Sequence, residues 1–183
     1  MPLLLCVSLC GCFHFRSQEY PPGWPALHTG QGDCSSIAGT YADSGERIGD
    51  NSFEFDSLSS ALGQYKALVV AAPTDRVAIS FGEDGTMVVK VWAKKAVVGA
   101  MQFSHDGGEF QCRWGEIEIS RSRFSAAEQV AGWESDTVRL SKAADGSLIL
   151  RRSNSAYGVA GGIIPIVANA VVSWSRFAVA KSH

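Results

Sequence analysis

The sequence predicts a mainly β protein: an antiparallel sheet of about seven or eight short strands, barrel-like or folded over on itself, with one short helix. Three observations carry this reading. Short runs in which apolar and polar residues alternate recur along the chain, and a period of two is the signature of a half-buried strand. Asp-Gly pairs stand between those runs, and both residues tolerate the positive φ of a tight hairpin turn. The chain also carries 19 glycines, which favours turns and strands over a helical bundle. No stretch keeps a helical period long enough for an all-α or α/β domain.

In order along the chain, Gly39-x-Tyr41 reads as a first strand and residues 44–51 as a loop. Asp56 or Ser57 is placed to cap a short helix running to about Tyr65, with Leu58 and Leu62 on one face. Val77, Ile79 and Phe81 alternate with Arg76, Ala78 and Ser80. Glu83-Asp84-Gly85 then turns the chain into Met87 to Trp92. Val98 to Phe103 leads through Asp106-Gly107-Gly108 into Phe110 to Trp114. Ile117 and Ile119 alternate with Glu116, Glu118 and Ser120, and Val138 and Leu140 with Thr137, Arg139 and Ser141. Asp145-Gly146 turns into Leu148 to Arg152, and a last strand covers about Val172 to Val179.

The segment Ser153–Ser175 breaks the pattern because it holds no charged residue. Its length makes it a candidate membrane span. Pro165, the three glycines and two asparagines within it disfavour a continuous helix in hydrocarbon. The expectation is a connection between the last two strands that lies against the domain or a lipid surface. An apolar mouth for a small molecule is the other reading.

A chain of 183 residues is long enough for one domain with a core and short for two. Net charge is −2 with Lys and Arg scattered. The basic patch of a nucleic-acid binder is missing, and that class is set aside.

The opening MPLLLCVSLCGCFHF is too short an apolar run to cross a bilayer and matches the apolar region of a signal peptide. Leu9-Cys10-Gly11-Cys12 resembles a bacterial lipobox, which implies cleavage of a signal peptide spanning 1–11 and lipidation of Cys12. A basic stretch ahead of the leucines is absent, so either the start lies upstream or the run is a buried N-terminal strand with incidental cysteines. Residues 12–33, rich in Pro, Gly, Ser and Gln, are expected to form a flexible tether, and residues 34–183 the β-rich domain. Cys34 and Cys112 then remain as a pair. In an oxidising periplasm they form a disulfide; the alternative is two buried thiols.

Trp24-Pro25, the stretch Cys34 to Glu46 with its Gly39-x-Tyr41 and Gly45-Glu46, and Ser57-Leu58-Ser59 resemble uncharacterised proteobacterial lipoproteins. Asp145-Gly146-Ser147-Leu148 and Trp174-Ser175-Arg176-Phe177 are also similar. The resemblance covers about a third of the chain in short pieces. It implies a lipid-anchored location in the cell envelope, at the outer membrane facing the periplasm, and a β-rich domain. It brings no catalytic residues.

No motif with a known mechanism appears: no Gly-x-Ser-x-Gly, His-Glu-x-x-His, phosphate loop or Cys-x-x-Cys. His14, His28, His105 and His183 lie in the tether, at a turn and at the terminus, where no orienting partner is evident. His105 beside Asp106 and near Cys112 reads as a surface turn residue before it reads as a zinc ligand. Glu116 and Glu118 share a strand face, most simply a solvated one. Trp92, Trp114, Trp133 and Trp174 either pack at the core and rim or line the mouth of a calyx. The functional expectation is a lipid-anchored envelope protein with a non-catalytic binding or structural role and no cofactor or metal. Its partners would be the membrane, an envelope protein or a small apolar ligand. The rivals are a periplasmic enzyme acting on an envelope polymer and a lipocalin-like binder.

Overall fold

The structure, a computed structural model, describes residues 19–28, 34–48, 57–68, 73–127, 130–160 and 164–180. Cys12 and the expected signal peptide lie outside these residues. A 3-10 turn at Cys34–Ile37 leads into β1 (Gly39–Ala42), β2 (Glu46–Ile48), α1 (Leu58–Gly63), β3 (Arg76–Phe81), β4 (Thr86–Ala93) and β5 (Ala96–Ser104). Then follow β6 (Gln111–Arg113), β7 (Glu116–Ala127), β8 (Val130–Lys142), β9 (Leu148–Ala160) and β10 (Ile164–Phe177). The fold is mainly β and antiparallel, as the alternation predicts.

The strands form two sheets, of order β1-β3-β4-β5 and β2-β10-β9-β8-β7-β6. Their inner faces share one core. Val77, Ile79, Met87, Val89, Val91, Met101 and Phe103 come from the first sheet, and Ile117, Ile119, Val138, Leu140, Leu148, Leu150 and Phe177 from the second. Past β10 the chain crosses to the first sheet: Ala42 N donates to Ala178 O at 2.8 Å, and Ala180 N to Thr40 O at 2.9 Å. The two sheets are thereby joined along one side and left open along the other. The arrangement is folded over, not barrel-like.

Local chemistry explains the joints. Ser57 caps α1, its Oγ accepting from Ser60 N at 3.1 Å, and Leu58 and Leu62 bury the helix face completely. At the β3–β4 and β8–β9 turns, Gly85 (φ 74°) and Gly146 (φ 84°) take the left-handed conformation. Asp84 and Asp145 each accept from the backbone N–H two residues on, both at 3.0 Å. Ser147 and then Arg176 hold the Asp145 carboxyl down at about 2.

Four expectations need correction. Ten strands are present among the described residues, and β7 to β10 are long, at 12 to 14 residues. The 44–51 loop contains β2, which pairs with Trp174–Arg176 of β10. The uncharged Ser153–Ser175 segment is not a connection but the distal halves of β9 and β10, paired from Ser153 opposite Val172 to Ala160 opposite Ile164. Finally, residues 19–28 of the supposed flexible tether pack on the second sheet. Tyr20 meets Trp174 edge-on at 5.2 Å, Leu27 bridges Ala143, and His28 N donates to Lys142 O at 2.7 Å. Aromatic burial supplies what the Pro-rich composition lacks: Trp24 joins Ile149, Val172 and Trp174 in a second apolar cluster.

Candidate functional site

Of the expected site residues, Cys34 and Cys112 are brought together in a disulfide, with S–S 2.07 Å and Cα atoms 5.8 Å apart. The bridge pins the 3-10 turn to the edge strand β6. Cys112 is therefore not a metal ligand beside His105. No group of three or more His, Cys, Asp or Glu among the described residues is arranged to hold a metal ion. Glu116 accepts from Ser141 Oγ at 2.7 Å and Glu118 from Arg139 Nε at 2.8 Å. The two carboxylates thus serve cross-strand contacts.

The four tryptophans do not converge on a calyx. Trp92 lies under the Arg76 guanidinium, 4.9 Å from its ring centre, and Trp174 is buried beneath Tyr20. Trp114 sits at the β6–β7 turn with φ 57° and is 79% exposed. Trp133 stands on β8 and is 45% exposed.

Those long strands form the main feature outside the core. The core ends at Ile119 and Val138, but β7 runs on to Ala127 and β8 starts at Val130. β6 pairs only with Glu116–Glu118, and β2 only with the last residues of β10. Beyond them, β7 to β10 continue as a four-stranded arm, the stretch of β7 past Ile119, residues 120–127, spanning roughly 25 Å.

Register assigns the arm's two faces, because side chains alternate and cross-strand partners share a side. The face continuous with the core carries Arg121 opposite Asp136 and Arg123 opposite Glu134, with Arg152 opposite Val138. Arg123 Nε donates to Glu134 at 2.6 Å, and Arg152 grips Asp136 through Nε at 2.9 Å and Nη2 at 2.8 Å. The outer face carries Ser120, Thr137 and Ser153 in one row and Ser122, Ser135 and Ser155 in the next. Then come Phe124, Trp133 and Tyr157, and last Ala126, Ala131 and Val159. No charged residue stands in these four rows. The Phe124 and Trp133 rings meet edge-on at 5.5 Å, yet Phe124, Trp133, Tyr157 and Val159 are 58%, 45%, 59% and 40% exposed. Nearer the base, the same face carries Ile149 and Trp174, which residues 19–28 cover. The chain covers its own aromatic surface at the base and leaves it bare along the arm.

A second feature is a cleft of about 510 Å³ on the open side of the sandwich, lined in part by Tyr65, Lys66, Phe103, Glu109, Ile119 and Arg121. Lys66 pairs with Glu109, and its ammonium lies 5.2 Å from the centre of the Phe103 ring. Burial, then the nearby Asp136 carboxylate, push the Tyr65 phenol well above its ordinary range. No histidine lines this cleft, and its carboxylate Glu109 is committed to Lys66.

No protein-family model, curated protein or solved structure matches the chain. The arm's bare aromatic row was not legible as a site beforehand. Its three residues lie far apart in sequence, and only strand register lines them up.

Proposed function

We propose that the protein is a lipid-anchored cell-envelope protein, held at the outer membrane through Cys12 and facing the periplasm, with a non-catalytic binding role. One observation carries the binding role: the projecting arm presents an exposed aromatic row, Phe124–Trp133–Tyr157, on a face without charge. Contiguous exposed apolar surface of this kind marks a contact surface more often than chance exposure. The Cys34–Cys112 bridge agrees with an oxidising compartment such as the periplasm. Among the described residues no helix is long and apolar enough to cross a membrane, so the anchor in this reading is acyl chains on Cys12. The open sheets remove the closed calyx that a lipocalin-like binder requires.

The anchor is tested by expressing the full chain with its own leader and comparing Cys12→Ser. The parent is expected in the membrane fraction, with the mass of an acylated N-terminal cysteine, since more than one acyl chain anchors stably. The Cys12→Ser protein is expected in the soluble fraction or unprocessed. Normal membrane retention of a correctly cleaved Cys12→Ser protein would end the proposal.

A further inference from the structure

We infer that the outer face of the arm rests on a lipid surface, with Phe124, Trp133 and Tyr157 seated at headgroup level; this deepens the lipid-anchored reading and rests on it. Three observations converge on that partner.

The first is charge segregation. From Ser120 to the arm's end the outer face of β7 to β9 offers Ser, Thr, Ala, Val and three aromatics. The opposite face gathers Arg121, Arg123, Glu134, Asp136 and Arg152. The outer-face charges Glu118, Arg139 and Arg151 stand in the row below Ser120, at the base. Past them the arm is amphipathic in the sense of an interfacial helix, one side suiting water, the other the boundary of headgroups and acyl chains.

The second is the order of rows. Two rows of hydroxyls come first, then the aromatics, then Ala126, Ala131 and Val159. Trp and Tyr concentrate at membrane interfaces because their rings are apolar and their N–H or O–H still reaches water or headgroups. A protein partner would leave this graded, hydroxyl-rich surface unmatched unless it supplied polar groups to meet it.

The third is reach. Residues 19–28 cross the base of this same outer face, where Tyr20 lies against Trp174. Cys12 is only seven residues before Glu19, a span of at most about 25 Å when fully extended. A lipid on Cys12 therefore tethers the domain by the side that carries the aromatic row, within about one arm's length of the bilayer. The anchor and the face act together, since a second attachment adds to an already tethered one through high effective concentration.

The test reconstitutes the full acylated chain in vesicles of phosphatidylethanolamine and phosphatidylglycerol brominated near the headgroup, and reads tryptophan quenching. We expect clear quenching in the parent, most of it lost in Trp133→Phe and kept in Trp114→Phe, whose residue sits at the far end of β7. In parallel, the Cys12→Ser chain is titrated with the same vesicles. Its partitioning should fall by about tenfold or more when Phe124, Trp133 and Tyr157 are all replaced by Ser. An unchanged urea midpoint shows that the exposed substitutions leave the fold intact. An acylated chain whose Trp133 stays unquenched overturns the inference and leaves the anchor standing. A chain without acylation whose Cys12→Ser form still partitions through Trp133 does the reverse. Absence of both effects, or a Cys12→Ser dimer in solution that the triple substitution dissolves, assigns the face elsewhere and overturns the inference.

Discussion

Replacing Cys34 and Cys112 together by serine is expected to lower the unfolding free energy by about 4 kcal/mol. The bridge spans 78 residues, and chain-entropy closure of such a loop restricts the unfolded ensemble by about that much. The native side makes the loss local as well as global. Cys34 begins the 3-10 turn whose Ile37 is fully buried. Cys112 sits on β6, which pairs with β7 through three residues only. Without the bridge this short edge strand keeps one neighbour and little buried area. The open side of the sandwich should therefore fray before the rest. Urea denaturation of the double variant, and of the parent with and without reductant, checks this. Both routes should give the same lowered midpoint with a similar slope. A reduced parent as stable as the oxidised one would show that closure of this loop contributes nothing measurable.

How much of this was readable in the chain varies with how strongly burial marks each segment. Val77-Ala78-Ile79 and Ile117-Glu118-Ile119 announce strands because one face is sealed in the core and the other is polar. Asp84-Gly85 and Asp145-Gly146 announce turns because their backbone geometry is demanding. The Cys34–Cys112 pair followed from counting, and the helix at Ser57 from its cap. The arm was lost for a physical reason. Beyond Ile119 neither face of β7 and β8 meets a core, so the sequence SRSRFSAAEQVAGWESDT shows no apolar period. Its strands are held by cross-strand pairs instead: Arg123 with Glu134, Arg152 with Asp136, and Ser120 Oγ with Thr137 Oγ1 at 3.1 Å. Such partners are invisible until register is known. In β9 and β10 the glycines and Pro165 imitate loop composition. Pro165 instead pairs opposite Val159 close to the arm's end, and β10 shifts register between Ala168 and Val171. Proline and bulges are tolerated on such an edge strand, and both hinder pairing with another chain.

The tether failed for the opposite reason. Prolines and glycines around Tyr20 and Trp24 read as disorder because composition counts residues and not ring area. Two aromatic side chains folded onto Trp174, with Leu27 beside them, bury enough surface to order ten residues of Pro-rich chain. That one correction matters most for the outer face of the sheet, since it lays residues 19–28 across its base.

The second large effect is expected at Asp43, a residue no motif singled out. It is buried, at 1% exposed. It accepts from Ser59 N at 2.7 Å, from Ser59 Oγ at 2.8 Å and from Thr74 Oγ1. Its backbone is used just as fully: Asp43 N donates to Asp75 O at 3.0 Å, and Asp43 O accepts from Leu58 N at 2.9 Å. One residue at the end of β1 thus fixes the first turn of α1 and the chain entering β3. Hydrogen bonds to a carboxylate contribute about 1.5–3 kcal/mol each, and a buried donor left without an acceptor costs about 1–3. Asp43→Ala removes the acceptor and strands the Ser59 N–H inside. A loss of about 4 kcal/mol is expected, limited by the freedom of the two hydroxyls to turn elsewhere. Asp43→Asn keeps the volume and one oxygen, so about half that loss should follow, and Ser59→Ala should cost about 1–2 kcal/mol. Leu58 and Leu62 hang from the same turn and lie in the core, so unfolding of the Ala variant should remain a single transition at a lower urea midpoint. If Asp43→Ala proves within about 1 kcal/mol of the parent, water must reach the site in its place, and α1 is then held by Leu58 and Leu62 alone.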